Sequence, residues 1–240
     1  MKIKEKIEIR PNGIWSLVYE EDSLVEENRL DLETAISMGQ EKIENMSKEQ
    51  LLNLYKPKRK LQIGVMGSAA DTKYSSKIEQ IAEQLGEEVA KRDAILFFGA
   101  EKDYDSLSTA ACRGAKKYGG MTVGVTYGKG KNIYEKSADV IITSMAERGG
   151  PRESVLVGSC DAIIGVSGGS GTLTEFVIAY QANIPMIAMT GTGGWSERIA
   201  DQYIDARKRR KVIAAKTPEK AVKIAEQEAI IYINIIEQKM

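Results

Sequence analysis

The chain has 240 residues, enough for one sizeable α/β domain with a small appendage. Lysine plus arginine and aspartate plus glutamate number 34 each, so the formal net charge is zero, which argues against non-specific nucleic-acid binding as the main task. There is no histidine, which excludes Ser-His-Asp and Cys-His catalysis, H-E-x-x-H zinc sites and imidazole proton shuttles within the chain. Cys112 and Cys160 lie far apart in helix-like contexts and form no C-x-x-C, so buried free thiols are expected rather than a disulfide or a metal site. No apolar stretch approaches the roughly 18 residues of a membrane span, and the N-terminus has no signal-peptide core; a soluble, cytoplasmic protein is expected.

In chain order, residues 2–10 alternate polar and apolar, with Ile3, Ile7 and Ile9 on one side. Pro11-Asn12-Gly13 is a turn signal and Ile14–Tyr19 reads as the return strand of a hairpin. Residues 31–45 and 48–55 have a partial helical apolar face, the second opened by a capping box at Ser47. Residues 1–58 form an accessory segment too small to be stable alone, and 59–240 the main domain.

From Leu61 the pattern becomes a regular alternation. Short apolar runs at 61–66, 94–98, 121–126, 139–143, 161–166, 185–189 and 211–215 are separated by helix-like segments at 73–91, 105–118, 151–159, 172–183, 196–208 and 217–228. This predicts a Rossmann-like, doubly wound, mostly parallel sheet of about seven strands covered on both faces. In such sheets ligands bind beyond the carboxyl ends of the strands, so the loops at 67–72, 99–105, 127–132, 144–152, 167–172 and 190–195 matter most.

One stretch dominates: Asp161–Gln181, reading DAIIGVSGGSGTLTEFVIAYQ. An apolar strand, Ala162–Val166, turns through Ser167, Gly168, Gly169, Ser170 and Gly171 into a helix carrying Leu173, Phe176, Val177 and Tyr180 at helical spacing. Strand, glycine turn and helix present free N–H groups and the positive end of a helix dipole, suited to a phosphate or another anion. Plain turn chemistry is the alternative. Glu175, about one turn into the helix, would lie beside the anion pocket. Neither G-x-G-x-x-G nor G-x-x-x-x-G-K-[ST] occurs, which disfavours an NAD enzyme and a P-loop NTPase.

Among the other loops, Gly67-Ser68-Ala69-Ala70-Asp71 offers a second close-approach turn, and Gly99–Asp105 is acidic and would repel a phosphate. Tyr127–Lys131 reads as an exposed loop or a mobile lid. Pro151 suits a first helical position, and Arg152 beside it opposes the dipole and calls for an anion or a carboxylate partner. Trp195 can stack on a base or fill a core or capping role. The basic run Arg207–Lys211 reads as dipole compensation at a helix C-terminus rather than a nucleic-acid contact. Residues 229–236, AIIYINII, are β-prone and read as an added edge strand or an oligomer contact.

Three segments together resemble one superfamily. Ser167-Gly168-Gly169-Ser170-Gly171-Thr172-Leu173-Thr174-Glu175 resembles P-G-G-x-G-T-x-x-E, with Ser167 in place of proline. Arg113–Val125 is similar to a stretch ending G-A-x-x-x-G-G-x-T-V-G-V, and Ile63–Ser68 fits the opening strand. Arg152 stands nine residues ahead of Asp161, which is similar to the placement of an arginine in the same superfamily. The superfamily is the LONELY GUY, lysine decarboxylase-like group of nucleotide-binding proteins, related to the DNA-processing protein A fold and including molybdenum-cofactor carrier proteins. The match runs over about 61–228, and the sequence is more similar to the short branch that houses the carriers. Gly99–Asp105 and Glu147–Glu153 depart from the phosphoribohydrolase pattern.

The resemblance implies a nucleoside 5′-monophosphate phosphoribohydrolase that frees a base and ribose 5-phosphate. The phosphate would sit among Gly67, Ser68, Gly168, Gly169, Ser170, Gly171 and Thr172. Glu175 and Arg152 would be catalytic, with Arg152 holding Glu175 ionised or assisting the departing base. It implies no metal, no cofactor, and a homo-oligomer, in the first place a dimer. The rivals are a non-catalytic carrier or sensor of a nucleotide-like ligand such as a phosphorylated pterin, and, behind it, a DNA-binding module.

Overall fold

The computed structural model describes residues 3–10, 13–30, 59–147 and 150–237. The chain divides into two compact units, Arg59–Ala229 and Met1–Lys58 together with Ile230–Met240. The helices expected at 31–45 and 48–55 lie outside the described residues.

The smaller unit contains an antiparallel sheet of β1 (Ile3–Arg10), β2 (Gly13–Glu20) and β3 (Ser23–Leu30), in that order. The expected hairpin is its first half. The third strand was not anticipated, because the turn into it contains no glycine. Glu21 and Asp22 instead both take left-handed backbone, φ 50° and 67°, as a tight hairpin turn requires.

The larger unit is built on a seven-stranded sheet: β4 (Gln62–Gly67), β5 (Ile95–Gly99), β6 (Thr122–Thr126), β7 (Val140–Thr143), β8 (Ala162–Val166), β9 (Met186–Met189) and β10 (Ile213–Ala215). The order is β10-β9-β8-β4-β5-β6-β7 and every pairing is parallel. Every residue of β6, β8 and β9 is buried, which is why β8 and β9 read as unbroken apolar runs rather than alternations, while β6 has a threonine at each end. The helices are α1 (Ser76–Lys91), α2 (Leu107–Lys117), α3 (Pro151–Gly158), α4 (Ser170–Gln181), α5 (Gly194–Ile199) and α6 (Pro218–Glu237), the last belonging to the smaller unit from Ile230 on. On one face α1 and α2 cross in close contact, because Gly86 lies against the Ala111 carbonyl and Gly114 against the Glu83 carbonyl. On the other face α3 and α4 lie side by side, with Cys160 and Phe176 filling the space above Gly64 and Gly165.

Strand order fixes where a ligand can bind. The chain builds outward from β4 through β5, β6 and β7, then returns to place β8 on the other side of β4. The connections leaving β4 and β8 therefore diverge, and a crevice opens beyond their carboxyl ends.

Two expectations fail in the last third. Residues 229–236 are helical, part of α6. Buried Ala221, Val222, Ala225, Ala229, Ile230 and Ile233 follow helical spacing without a break, and this stripe overrides local β-propensity. The helix expected over 196–208 stops at Ile199; Asp201 and Lys208 have left-handed backbone, and Tyr203 bridges Lys211. The basic run consequently sits at no helix end. Arg210 is 2% exposed, donating from NH1 to Glu228 at 2.8 Å and from Nε to Asn183 at 3.2 Å, while Arg207 pairs with Asp205 and Lys211 lies 3.6 Å from Asp201.

Candidate functional site

The turn after β8 is held on three sides. Ser167 takes φ 54° and Gly168 φ 97°. The Ser167 amide donates to Thr192 Oγ1 at 2.9 Å, and the Gly168 amide donates to Ser68 Oγ, also at 2.9 Å. The Ser167 and Gly168 carbonyls accept from Ser196 N and Trp195 N, each at 2.9 Å. Only glycine fits at 194, where φ is 63° and a Cβ would press on Ser167 and Gly168 backbone. Ser167, standing where the superfamily motif has proline, adopts a φ that proline cannot reach, since its ring fixes φ near −65°. The departure is therefore conformational as well as chemical.

This bracing divides the predicted phosphate residues into two groups. Gly67 packs closely on Leu107 and Val166. Ser68 is 3% exposed, accepts from Gly168 N, and lies 3.3 Å from Ser167 Oγ. These two shape the turn, and the Gly168 amide is already spent on Ser68. By contrast, the amides of Gly169, Ser170, Gly171 and Thr172 donate to no acceptor among the described residues; the first α4 bond is Leu173 N to the Gly169 carbonyl at 3.1 Å. Four open donors at the N-terminus of a twelve-residue helix form an anion cradle.

Beside the cradle lies a buried cluster of four ionisable groups: Glu175 (5% exposed), Arg152 (7%), Glu153 (3%) and Glu101 (7%). Side chains in a helix lean toward its N-terminus, so Glu175 leans toward the cradle from within α4. Pro151 opens α3 as expected, after Gly150 with φ 142°. The carboxylate partner that Arg152 requires is its neighbour. Glu153 Oε1 accepts from Arg152 Nε at 3.1 Å and NH2 at 2.9 Å, while Glu153 Oε2 caps the helix by accepting from Gly150 N at 2.6 Å. Glu101, from the acidic loop after β5, accepts from Arg152 NH2 at 3.4 Å. Arg152 NH1 occupies the space where a Cβ on Gly99 would stand.

Arg152 thus makes its hydrogen bonds to Glu153 and Glu101, and Glu175 makes none to a described residue. Burial pushes the Glu175 carboxyl up to about 8; Arg152 pulls it down, and Glu153 and Glu101 push it further up. The expectation that Arg152 keeps Glu175 ionised is corrected: in the free protein desolvation and two neighbouring carboxylates win, and Glu175 holds its proton at neutral pH. Burial also opposes the charge on Arg152, but Glu175, Glu101 and Glu153 outweigh it and bind that proton more firmly than usual. Burial raises Glu153 as well, yet Arg152 and the Gly150 amide bring it below the usual range.

The remaining candidates are accounted for locally. Trp195 is half-buried with the Arg198 guanidinium 5.0 Å from its ring centroid. Tyr127 is tied to the acidic loop through Asp103 at 3.2 Å and lies under Lys102 at 4.9 Å. Asp105 is engaged by Arg113 at 3.0 Å and by Ser106 N at 2.8 Å. Both cysteines are buried and free, and burial pushes Cys112 up to about 12, which makes it inert as a nucleophile. Cys160 falls just past the end of α3 rather than within it. No cluster of acidic, cysteine or histidine side chains able to hold a metal occurs among the described residues, and no described helix is long and apolar enough to cross a membrane. Glu101, Glu153 and Thr192 were not anticipated. The Gly150-x-x-Glu153 spacing of a capping box was the one readable signal for Glu153.

A family model for the SLOG cluster4 family matches residues 60–222. The chain belongs to the SLOG cluster4 family. An uncharacterized protein of Archaeoglobus fulgidus is 33% identical over 121 residues, spanning 50% of this chain and 74% of that protein. Among solved structures, the molybdenum cofactor binding protein of Rippkaea orientalis is 26% identical with a TM-score of 0.60, over 70% of this chain and 96% of that one. The molybdenum cofactor carrier protein of Chlamydomonas reinhardtii is 25% identical with a TM-score of 0.60, over 71% and 98%. DNA processing protein A of Helicobacter pylori, 12% identical with a TM-score of 0.51 over 80% and 85%, shares the fold alone. In this SLOG cluster4 protein the matched region contains the whole anion cradle and all four members of the buried cluster.

Proposed function

We propose that the chain binds a phosphorylated, nucleotide-like small molecule and cleaves its N-glycosidic bond, releasing a base and ribose 5-phosphate from a nucleoside 5′-monophosphate. The phosphate takes the open amides of Gly169–Thr172, and the ribose lies along Glu175. The observation that carries the reading is Glu175: a buried carboxyl without a hydrogen bond to a described residue, pushed up to about 8 beside an anion cradle. A carboxyl tuned in this way is a general acid at neutral pH. It donates its proton to a ring nitrogen of the leaving base as the C1′–N bond breaks and its electron pair departs with the base. The resulting carboxylate stabilises the oxocarbenium-like sugar, then takes a proton from the water whose oxygen bonds to C1′, and the acid form is restored. Arg152, fixed by Glu153, faces the departing base.

The test is base release from the common nucleoside monophosphates by wild type, Glu175→Ala and Arg152→Ala. Release by the wild type that is lost in both folded variants supports the reading; release that persists in both sinks it.

A second reading, a carrier of a nucleotide-like cofactor such as a phosphorylated pterin, is favoured by the two neighbours named for molybdenum cofactor and by the acidic side chain on Arg152 in place of a glycine-rich loop. Saturable nucleotide binding without release, or a bound chromophore in the absorbance spectrum of the purified protein, would select it.

The homo-oligomer implied by the resemblance is also part of the proposal. Val155 and Val177, each 37% exposed on adjacent α3 and α4, are outward-facing apolar side chains suited to a second copy. Sedimentation velocity of wild type against Val177→Lys tests it, and a monomeric wild type refutes it.

A further inference from the structure

Glu101 joins the buried cluster from outside α3 and α4, and its carbonyl accepts from Tyr134 N at 2.8 Å. It reaches the cluster from the loop after β5, is 7% exposed, and makes the longest contact on Arg152, 3.4 Å to NH2. Glu153 is committed through both oxygens, one to Arg152 and one to Gly150 N, so it cannot leave without uncapping α3. Gly99 keeps NH1 in place from behind. Arg152 is therefore held rigidly on one side by Glu153 and covered on the other by the Glu101 carboxylate, at 3.4 Å from NH2.

The cradle lies over β8 and Arg152 over β5, two strand spacings apart across β4, about 10 Å. Glu175 stands about one turn into α4 from the cradle and close enough to Arg152 for each to shift the other's titration. A ligand with its phosphate in the cradle and its sugar on Glu175 brings its base to Arg152. We infer that Glu101 is a specificity-determining residue: it occupies Arg152 in the free protein, and only a base offering two adjacent acceptors, the oxo-and-ring-nitrogen edge of a 6-oxopurine or 4-oxopterin, displaces it. This inference rests on the proposed placement of phosphate and sugar.

The chemistry is that of a guanidinium fork. Side-by-side O6 and N7 acceptors match two parallel N–H groups. A 6-aminopurine presents a donor beside N7, turns an N–H toward the guanidinium, and leaves Glu101 where it is. Glu101 thereby sets a threshold that a weak acceptor does not pass.

The experiment is calorimetric titration of wild type, Glu101→Gln and Glu101→Asp with GMP, AMP and ribose 5-phosphate. Ribose 5-phosphate fills the cradle and the sugar position but has no base. Wild type should bind GMP about tenfold or more tighter than AMP. Both variants should tighten GMP about tenfold, because each removes a charge-assisted competitor from Arg152, and should leave ribose 5-phosphate unchanged. The aspartate keeps the charge but is one methylene too short to reach, so it separates exchange at Arg152 from a general field effect. If only Glu101→Gln tightens GMP, or if ribose 5-phosphate tightens equally, the effect is a field effect and the inference fails. Equal wild-type affinity for GMP and AMP also overturns it, and in both cases binding of ribose 5-phosphate leaves the underlying placement standing. Binding of none of the three probes by wild type or variants overturns the placement and the inference together.

Discussion

Replacing Glu175 by glutamine keeps the shape of the buried side chain and removes its titration. In the unfolded chain this carboxyl loses its proton near 4.5, and in the folded protein near 8. Below the lower value both states are protonated and the group contributes no pH dependence. Between the two values the unfolded chain is ionised while the folded one keeps its proton, so rising pH favours unfolding. Each pH unit in that window withdraws about 1.4 kcal/mol, roughly 3 kcal/mol by pH 7 and about 5 kcal/mol once the window is crossed. Set against a total stability of about 5–15 kcal/mol, this is a large penalty. Glu175→Gln should therefore match wild type near pH 4.5 and become progressively more stable above it. Guanidinium chloride unfolding of both proteins at pH 5, 7 and 8.5 measures the divergence. Had Arg152 kept Glu175 ionised, with its folded value at or below 4.5, the two proteins would run parallel above pH 5, and wild type would gain on the variant only as pH rises toward about 4.5. Parallel stabilities, or a variant that falls behind with increasing pH, would refute the assignment of a protonated Glu175.

Two glycine substitutions separate function from folding. In Gly99→Ala the new methyl stands where Arg152 NH1 lies, and moving the guanidinium breaks charge-assisted hydrogen bonds worth about 1.5–3 kcal/mol each; nucleotide binding should drop at least tenfold with circular dichroism unchanged. In Gly86→Ala the methyl meets the Ala111 backbone carbonyl, so α1 and α2 must separate, and thermal unfolding should show a loss of about 3 kcal/mol or more while the cradle keeps its geometry. Ser167→Pro would restore the superfamily motif but cannot take φ 54° and loses the amide bonded to Thr192. We expect a stability loss of about 3 kcal/mol and weaker phosphate binding, and wild-type stability in denaturant would show that the turn relaxes to a different conformation.

What the sequence determined was local or periodic. Buried parallel strands must be short and apolar, so the seven strands from β4 to β10 were legible to within a residue or two. The strand–glycine–helix step at 166–170 was legible for the same reason, because an open helix N-terminus follows from chain geometry alone. Arg152 was legible as a charge in need of a partner. Local propensity misled where a longer-range stripe overruled it, as in 229–236, and where left-handed residues other than glycine made the turns, at Glu21-Asp22 and Asp201.

Only the tertiary structure decided which groups meet. Glu101 and Arg152 are joined because β5 lies next to β4 and α3 folds back over it. Ser68 takes the Gly168 amide because β4 and β8 are neighbours, although 100 residues separate them. The protonation of Glu175 depends on burial and on three charges brought from two other segments, and desolvation in a packed interior has no signature in the order of residues along a chain.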